Sequence, residues 1–368
     1  MVVIALKKYE SILLVIFCLM ELILQACSGI PVITPKETAP FPKATQLTTG
    51  ETYPSPQDCQ RIESSGLPVG SELRNSHIIY RSGNDIDHLN QLWIFDINSG
   101  LRKRILETSG YYYYAVGFLQ DGNHFVMAGS EKFWLSDLAG SPPKSMELTS
   151  PELFAIVSNN FPEYSRIARD FNDISSEESP DGTIKAIWNL GDPNLVITNN
   201  ETGKAVNVIQ YDGHGSIAGN WSPDGEHYAF SYSKEQSKVY IVDADGSDLS
   251  ELVTIRSASI GRPYWSPDGK KIAYTVNKGF QFQPTYYQIL NIDTDESKTY
   301  GINGQESLAL RNGNDILWSP DNEWILFYAG AYGEDKQYNI DIKALEISTG
   351  EFYCITEDSL IEVMADWR

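Results

Sequence analysis

The sequence predicts an all-β fold built from one repeated four-stranded antiparallel unit. A tight-turn motif recurs along the chain, and a second kind of turn follows an apolar stretch in each repeat. The stretches between the turns are short and rich in β-branched and aromatic residues, as strands are. Self-similarity at a period of a few tens of residues is typical of a repeat architecture.

The first marker is the motif Trp-Ser-Pro-Asp-Gly. It is intact at Trp221–Gly225 and Trp265–Gly269, ends in Asn at Trp318–Asn322, and is weaker at Phe118–Gly122 and Ser179–Gly182. Pro presets φ for a turn, Asp accepts local backbone N–H bonds, and Gly takes the positive φ that returns the chain into an antiparallel strand. We therefore expect a turn between the first and second strands, with the aromatic residue packed between neighbouring sheets.

The second marker is an outer turn between the third and fourth strands, which occurs at residues 96–100, 137–140, 199–203, 243–246, 291–295 and 346–350. Six outer turns imply six units. The first unit starts directly at its second strand, His77–Tyr80, and the missing first strand occurs at the other end of the chain as Val363–Trp367. We expect this C-terminal strand to complete the first unit and close a six-bladed β-propeller, because closure removes two exposed sheet edges.

The third unit departs most from the repeat. Glu178 stands where the other units have an aromatic residue, and the preceding stretch 151–173 is longer than the repeat requires. A long insertion in a compact domain is functional or disordered, and its aromatic residues argue against disorder. We therefore expect residues with a function specific to this protein to lie in the third unit.

The N-terminus has the pattern of an export signal, predicted for residues 1–26. Lys7 and Lys8 precede an apolar run, and that run ends in Leu24–Cys27. This ending resembles the lipobox of bacterial lipoproteins, and the resemblance implies that Cys27 carries the lipid. The alternative is an ordinary cleaved signal with a chance cysteine. With lipidation, the protein is expected to lie in the bacterial cell envelope, lipid-anchored outside the cytoplasmic membrane.

Residues 27–74 are predicted to be the lipid-bearing cysteine followed by a Pro- and Thr-rich spacer, and residues 75–368 the propeller. Cys18 leaves with the signal, so Cys59 and Cys354 remain in the folded part of an exported protein. An oxidising compartment favours a disulfide between them. Two free, buried thiols remain the alternative.

The Trp-Ser-Pro-Asp-Gly copies resemble the β-propeller domain of TolB and related WD-like repeats. The resemblance covers residues 75–368 and implies a propeller whose channel mouth is lined by the loops that lead into each first strand. The separate N-terminal domain of TolB has no counterpart in residues 28–74, so its role in the Tol–Pal system is not carried over.

Ligand binding is expected at that mouth, since loops on a rigid scaffold carry function. The candidate residues are Tyr112, Tyr113, Asp170, His214, Arg262 and Arg311. The tyrosines fit an aromatic platform for a sugar or peptide, with an arginine as anchor. Aromatic residues are ordinary strand formers, however, which favours a strand whose rings pack between sheets. His214 fits a base at the mouth or a solvated loop residue.

No catalytic motif is found, and no cofactor or metal is predicted. The acidic segment 243–248 lacks the glycine position of a calcium loop and coincides with an outer turn. The net charge of −21 argues against nucleic acid as a partner. The sequence therefore predicts a monomeric binding module for a protein, peptide or glycan. The alternative is an envelope enzyme, a glycan-acting hydrolase or lyase with carboxylates at the mouth.

Overall fold

The computed structural model describes most of the chain from residue 57 onward, together with one short strand before it. The described residues are 45–47, 57–62, 66–84, 89–107, 115–119, 121–128, 132–139, 141–147, 174–189, 194–209, 216–233, 236–256, 258–278, 285–302, 316–332, 338–357 and 360–368. Their regular elements are all strands. Within these ranges no helix is long and apolar enough to cross a membrane.

Two short strands, β1 (Thr45–Leu47) and β2 (Gln60–Arg61), precede the repeat units. Unit 1 contains β3 (His77–Gly83), β4 (Gln91–Asp96) and β5 (Arg102–Glu107). Unit 2 contains β6 (Ala115–Phe118), β7 (His124–Ala128), β8 (Lys132–Asp137) and β9 (Lys144–Glu147). Unit 3 contains β10 (Ile174–Glu178), β11 (Ile184–Asn189), β12 (Leu195–Asn199) and β13 (Ala205–Ile209).

Unit 4 contains β14 (Ser216–Trp221), β15 (His227–Ser233), β16 (Gln236–Asp243) and β17 (Ser250–Arg256). Unit 5 contains β18 (Ser259–Ile260), β19 (Tyr264–Trp265), β20 (Lys271–Asn277), β21 (Thr285–Asn291) and β22 (Ser297–Ile302). Unit 6 contains β23 (Ile316–Trp318), β24 (Trp324–Tyr332), β25 (Tyr338–Glu346) and β26 (Phe352–Cys354), and the last strand is β27 (Ile361–Trp367). Consecutive strands within each unit pair antiparallel, and in unit 5 both β18 and β19 pair with β20.

The C-terminal strand lies beside the first strand of the repeat region. β27 pairs antiparallel with β3, with Trp367 opposite Ile78, so the predicted pairing of the two chain ends is present. A backbone bond from the His77 N–H to the Arg368 carbonyl, 2.5 Å, continues the ladder. β27 also meets β25 in parallel at Ile340 and Ile361, which joins the strands of units 1 and 6 in one sheet.

The Ser-Pro-Asp-Gly turns have the geometry that their residues predict. In unit 5 the Ser266 hydroxyl donates to Asp268 Oδ1, 2.6 Å, and accepts from the Lys271 N–H, 2.9 Å. Asp268 Oδ1 also accepts from the Lys270 N–H, 3.1 Å, and Gly269 has φ +70°. The same Ser and Asp contacts recur in units 3, 4 and 6. Local hydrogen bonding therefore fixes each turn before any packing between units.

Asn322 replaces the final glycine in the third Trp-Ser-Pro-Asp motif, and it makes a contact to the neighbouring unit in addition to adopting positive φ. Its φ is +64°, and its side-chain Oδ1 accepts from the Asp268 N–H of unit 5, 2.9 Å. The Lys271 ammonium donates to the Asn322 carbonyl, 3.2 Å. The substitution thus links two neighbouring turns, which the sequence pattern alone does not indicate.

Apolar residues from neighbouring units form the core. One cluster joins unit 4 to unit 5 through residues such as Val239, Ile241 and Trp265, and another joins unit 5 to unit 6 through residues such as Tyr287 and Phe327. Further clusters join units 3 and 4, units 1 and 2, and units 6 and 1. In these five pairs of neighbouring units, apolar side chains of one sheet are therefore buried against the next sheet, as the hydrophobic effect favours.

The predicted spacer differs from the structure over its described part. β1 pairs in parallel with β17, Gln57 bridges Ile302 at the end of β22, and β2 pairs in parallel with β26. Further on, Leu67, Val69 and Leu73 are buried against units 1 and 6. The sequence analysis placed the start of the propeller at residue 75 because the preceding residues have the composition of a spacer. Pairing of β1, Gln57 and β2 through main-chain groups leaves no apolar periodicity in the sequence.

Cys59 and Cys354 are bonded as a disulfide, with their Cα atoms 5.3 Å apart. Cys59 lies in the segment that pairs with unit 6, and Cys354 ends β26. The covalent bond and the parallel pairing therefore hold the same segment on the outer strand of unit 6.

Candidate functional site

Arg262 is the only one of the six predicted mouth residues that falls within the described ranges. Tyr112, Tyr113, Asp170, His214 and Arg311 lie outside the described residues, as does Cys27. The geometry of the site is therefore built around Arg262 and the inner strands of units 3, 4 and 5.

Arg262 is positioned by the break between β18 and β19. The preceding Gly261 donates its N–H to the Thr275 carbonyl, 3.0 Å, on the neighbouring strand β20. A Cβ atom at Gly261 would lie 2.2 Å from Thr275 Oγ1, so only glycine permits this approach. Residues 261–263 lie outside the strand ladder, so Arg262 is in the break between two strands that both pair with β20.

The Arg262 side chain reaches from unit 5 to unit 3. Its Nη2 donates a charge-assisted hydrogen bond to Oε2 of Glu177 on β10, 85 residues earlier in the chain. The guanidinium carbon also lies 5.8 Å from the ring centroid of Tyr264. The two charged side chains are 29% and 12% exposed, so the pair is largely withdrawn from water.

Unit 4 lies between these two units in the chain, and indole hydrogen bonds connect all three. Trp221 Nε1 donates to the Glu177 carbonyl, 3.0 Å, and Trp265 Nε1 donates to the Asn220 carbonyl, 3.1 Å. Trp318 of unit 6 repeats the contact on the Tyr264 carbonyl, 3.1 Å. In each case the acceptor is the residue just before the aromatic position of the preceding unit. The motif tryptophans therefore fix the inner strands relative to one another.

Glu177 is the residue of this site that the sequence analysis missed. Attention fell on Glu178, which occupies the aromatic position and is opposite Lys185 in the strand register. Glu177 instead accepts from Trp221 at its main chain and from Arg262 at its carboxylate. Glu177 directly precedes the aromatic position of unit 3. The importance of that position is visible only in the structure, where its carbonyl accepts the indole hydrogen bond of the next unit.

The last aromatic position departs from this rule. Trp367 Nε1 donates to the Ser76 hydroxyl, 3.0 Å, rather than to a carbonyl of unit 6. The residue before it, Asp366, accepts from the Phe118 N–H of unit 2, 2.8 Å. Burial raises the pKa of Asp366, against the opposing effect of the nearby Arg368. The two ends of the repeat region are thus joined by side-chain bonds as well as by strand pairing.

The model of the TolB beta propeller domain matches residues 172–362, which is more than half of the chain. The chain belongs to the TolB β-propeller domain family. The matched residues begin just before β10 and end at Glu362, so they include both Glu177 and Arg262.

Relatives of the TolB-type domain have differing names. The chain is 26% identical over 215 residues to the uncharacterized peptidase YuxL of Bacillus subtilis, covering 50% of this chain and 31% of that protein. It is 32% identical over 85 residues to the Tol-Pal system protein TolB of Francisella tularensis, covering 23% of this chain and 19% of that protein. It therefore spans less than a third of the length of either relative.

Among solved structures, TolB from Acinetobacter baumannii superposes with a TM-score of 0.45 at 13% identity. The superposition covers 81% of this chain and 66% of that one.

The TolB-type domain also buries charged residues where units 1 and 6 meet. Arg81 and Glu362 are 7% and 1% exposed, and Lys343 Nζ lies 3.7 Å from Asp341 Oδ2. Ile340 is paired with Ile361, which places Asp341 and Glu362 one residue further along two adjacent strands. Buried carboxylates near cations are the kind of group that acid–base chemistry uses, although structural ion pairs also bury them.

Within the described ranges, three potential metal ligands come together only at Cys59, Cys354 and Glu357. The two sulfur atoms are bonded to each other, and Arg61 Nε lies 3.0 Å from Glu357 Oε2. This cluster is therefore a disulfide with a neighbouring surface ion pair, and we assign no metal to it.

Proposed function

We propose that this protein is a cell-envelope lipoprotein whose TolB-type propeller binds a protein, peptide or glycan at the mouth of its channel. The observation that carries the proposal is the contact between Arg262 and Glu177. A residue expected at the mouth is held in place by a charge-assisted bond between units 3 and 5, beside the ring of Tyr264. Arg262 keeps 29% of its side-chain surface exposed while Glu177 fixes its position, and a pre-oriented cation of this kind suits recognition of a polar ligand.

The frame of this proposal is a ring of six blades closed by the C-terminal strand. Its support is the repeat of the turns, the pairing of β27 with β3, and the indole bonds that join unit 3 to unit 4, unit 4 to unit 5 and unit 5 to unit 6. A closed ring has no free inner edge, so a monomer is the form we expect.

Envelope location rests on the N-terminal sequence and on the disulfide. The lipobox-like Leu24–Cys27 provides the attachment site, and a disulfide suits an oxidising compartment outside the cytoplasm. The Tol-Pal relative adds support, since its name places it in that system. Cys27→Ser is expected to move the protein from the membrane to the soluble fraction and to abolish palmitate labelling. Unchanged membrane partition would exclude lipidation at Cys27.

Arg262 gives the binding proposal a direct test. The lipidated protein is cross-linked to its surroundings in intact cells, recovered, and compared with Arg262→Ala. Arg256→Ala serves as the matched control, because Arg256 is an exposed arginine at the end of β17 and not at the inner strands. We expect a cross-linked partner to be lost with Arg262→Ala and retained with Arg256→Ala. Equal recovery from both variants would contradict binding at this site.

An enzymatic role is the second candidate. The buried carboxylate of Glu362 and the partly buried carboxylate of Asp341, on adjacent strands, favour this role. The name of the peptidase relative favours it as well, although the match covers only 31% of that protein. The test is turnover of envelope glycans and peptides by the wild type and by Asp341→Asn and Glu362→Gln. Activity that disappears in both variants while folding is retained would move the proposal from binding module to enzyme.

A further inference from the structure

One segment of the chain extends three consecutive sheets at their outer edges. β1 adds to β17 of unit 4, with Thr45 opposite Val253, and β2 adds to β26 of unit 6. Between them, the Gln57 N–H donates to the Gly301 carbonyl, 2.9 Å, at the outer edge of unit 5. All three additions are parallel, and they follow the order of the units. Addition of an extended segment to an outer strand is therefore a recurring device of this fold.

The remaining outer strands belong to units 1, 2 and 3, and they differ in how they protect their edges. β5 begins Arg102-Lys103-Arg104, and β9 carries a lysine and a glutamate in four residues. Charged side chains on an edge strand oppose pairing with another segment. β13 reads Ala-Val-Asn-Val-Ile, with no charge and no proline, and among the described strands it pairs with β12 alone. An uncharged, β-branched edge of this kind favours addition of a further strand.

We propose that β13 is covered by Val32–Thr34 of the same chain, added in parallel as β1 is added to β17. The spacing supports this occupant: the step from Leu47 on unit 4 to Gln57 on unit 5 is 10 residues, and the step from Thr34 back to Thr45 is 11. Unit 3 is the next unit in the order that the segment already follows.

The composition of Val32–Thr34 also suits an added strand. It is a β-branched triplet bounded by Pro31 and Pro35, and β1 is likewise three residues long. Proline lacks an N–H and is tolerated at strand ends and on edge strands, so Pro31 and Pro35 are compatible with a short strand added at the edge.

If Cys27 carries the proposed lipid, docking of Val32–Thr34 also sets the orientation of the domain on the membrane. Only four residues lie between Cys27 and Val32, so the two Cα atoms are at most about 17 Å apart when the chain is extended. Attachment of Val32–Thr34 to β13 therefore holds the outer edge of unit 3 close to the membrane surface. The docking itself does not depend on the lipid.

Amide hydrogen exchange on the mature full-length protein in detergent tests the docking. The test variant replaces Val32-Ile33-Thr34 by Gly-Pro-Gly, and the matched control replaces Thr45-Gln46-Leu47 in the same way. We expect exchange of the outward-facing amides of Ala205–Ile209 to rise about tenfold in the test variant alone, since each loses a hydrogen bond. In the control we expect the rise at Ser250–Arg256 instead. Slow exchange in β25 checks that each variant is folded.

Two results would overturn the proposal. Exchange in β13 of the wild type as fast as in the open edge β5 would show that the edge is uncovered. Slow exchange in β13 that is unchanged in the Val32–Thr34 variant would show another occupant, either a second copy of the chain or a partner protein. The Cys27→Ser variant should keep the protection of β13, so a failure of lipidation and a failure of docking are distinguishable.

Discussion

The hydrogen bond between Trp367 and Ser76 joins residues 291 positions apart, and its removal should weaken the whole domain. Trp367 is 2% exposed and Ser76 is 8% exposed. Trp367→Phe removes a buried hydrogen bond, about 1 kcal/mol, and part of the indole surface, about 1 kcal/mol more. Ser76→Ala removes the acceptor of the indole and the donor to the Leu73 carbonyl, so we expect it to cost about 1–3 kcal/mol.

The double variant separates a local effect from the bond itself. Because each single variant breaks the same contact, the free-energy cost of the double variant should fall short of the sum by about 1 kcal/mol. The measurement is urea unfolding followed by tryptophan fluorescence, with the disulfide intact and the m-value compared between variants. Trp318→Phe combined with Ser76→Ala is the control, since Trp318 donates to Tyr264 instead, and we expect additivity there. If the free-energy costs of Trp367→Phe and Ser76→Ala are additive, the hydrogen bond between these residues does not link the two ends of the repeat region.

Three further predictions concern the disulfide, the inner-strand ion pair and the turns. Replacing both Cys59 and Cys354 by serine should lower the free energy of unfolding by about 2–5 kcal/mol, and reducing agent should then have no further effect; an equal response of the variant to reductant would contradict this. Glu177→Gln should cost about 1–2 kcal/mol because Arg262 loses its counter-charge, and combination with Arg262→Gln should cost less than the sum; additive costs in chemical denaturation would exclude the pair. Protonation of the turn aspartates in acid should destabilise the fold. The Ser179 hydroxyl and the Thr183 N–H lower the pKa of Asp181, and at Asp224 the Ser222 hydroxyl and the Glu226 N–H outweigh burial and lower the pKa as well. A carboxylate whose pKa is lower in the folded state stabilises the fold above the unfolded pKa of 3.8, and this stabilisation is lost as the pH falls through the folded pKa. Asp224→Asn should therefore make the melting temperature fall less steeply below about pH 4. An unchanged slope would contradict the assignment.

Much of the fold could be predicted because its turns are local. Each Ser-Pro-Asp-Gly motif forms its hydrogen bonds within six residues, so the turn and the antiparallel strands on either side of it are determined by neighbouring side chains. The pairing of β27 with β3 was predictable for another reason. The first unit lacked one strand and the chain ended with an unused one, so counting the repeats identified the partners.

The candidate site was harder to predict. Arg262 was chosen for its place before a first strand, but its partner Glu177 lies two units away, and no spacing in the sequence relates them. The arrangement depends on how far each unit is rotated against the next, and packing of whole sheets sets that rotation. Among the described residues of 27–74, β1, Gln57 and β2 pair with outer strands through main-chain groups, and a Pro- and Thr-rich composition does not indicate such pairing.

The sequence by itself determined the turns, the alternation of strands and the likeness to the TolB β-propeller, because those follow from the conformational preferences of Pro, Gly, Asp and β-branched residues over a few positions. The tertiary structure alone decided that the motif tryptophans bind the carbonyls of the preceding unit, that Glu177 holds Arg262, and that the N-terminal segment extends three sheets. These contacts join residues tens to hundreds of positions apart. They form only when packed sheets bring main-chain and side-chain groups within hydrogen-bonding distance, and local sequence does not encode that distance.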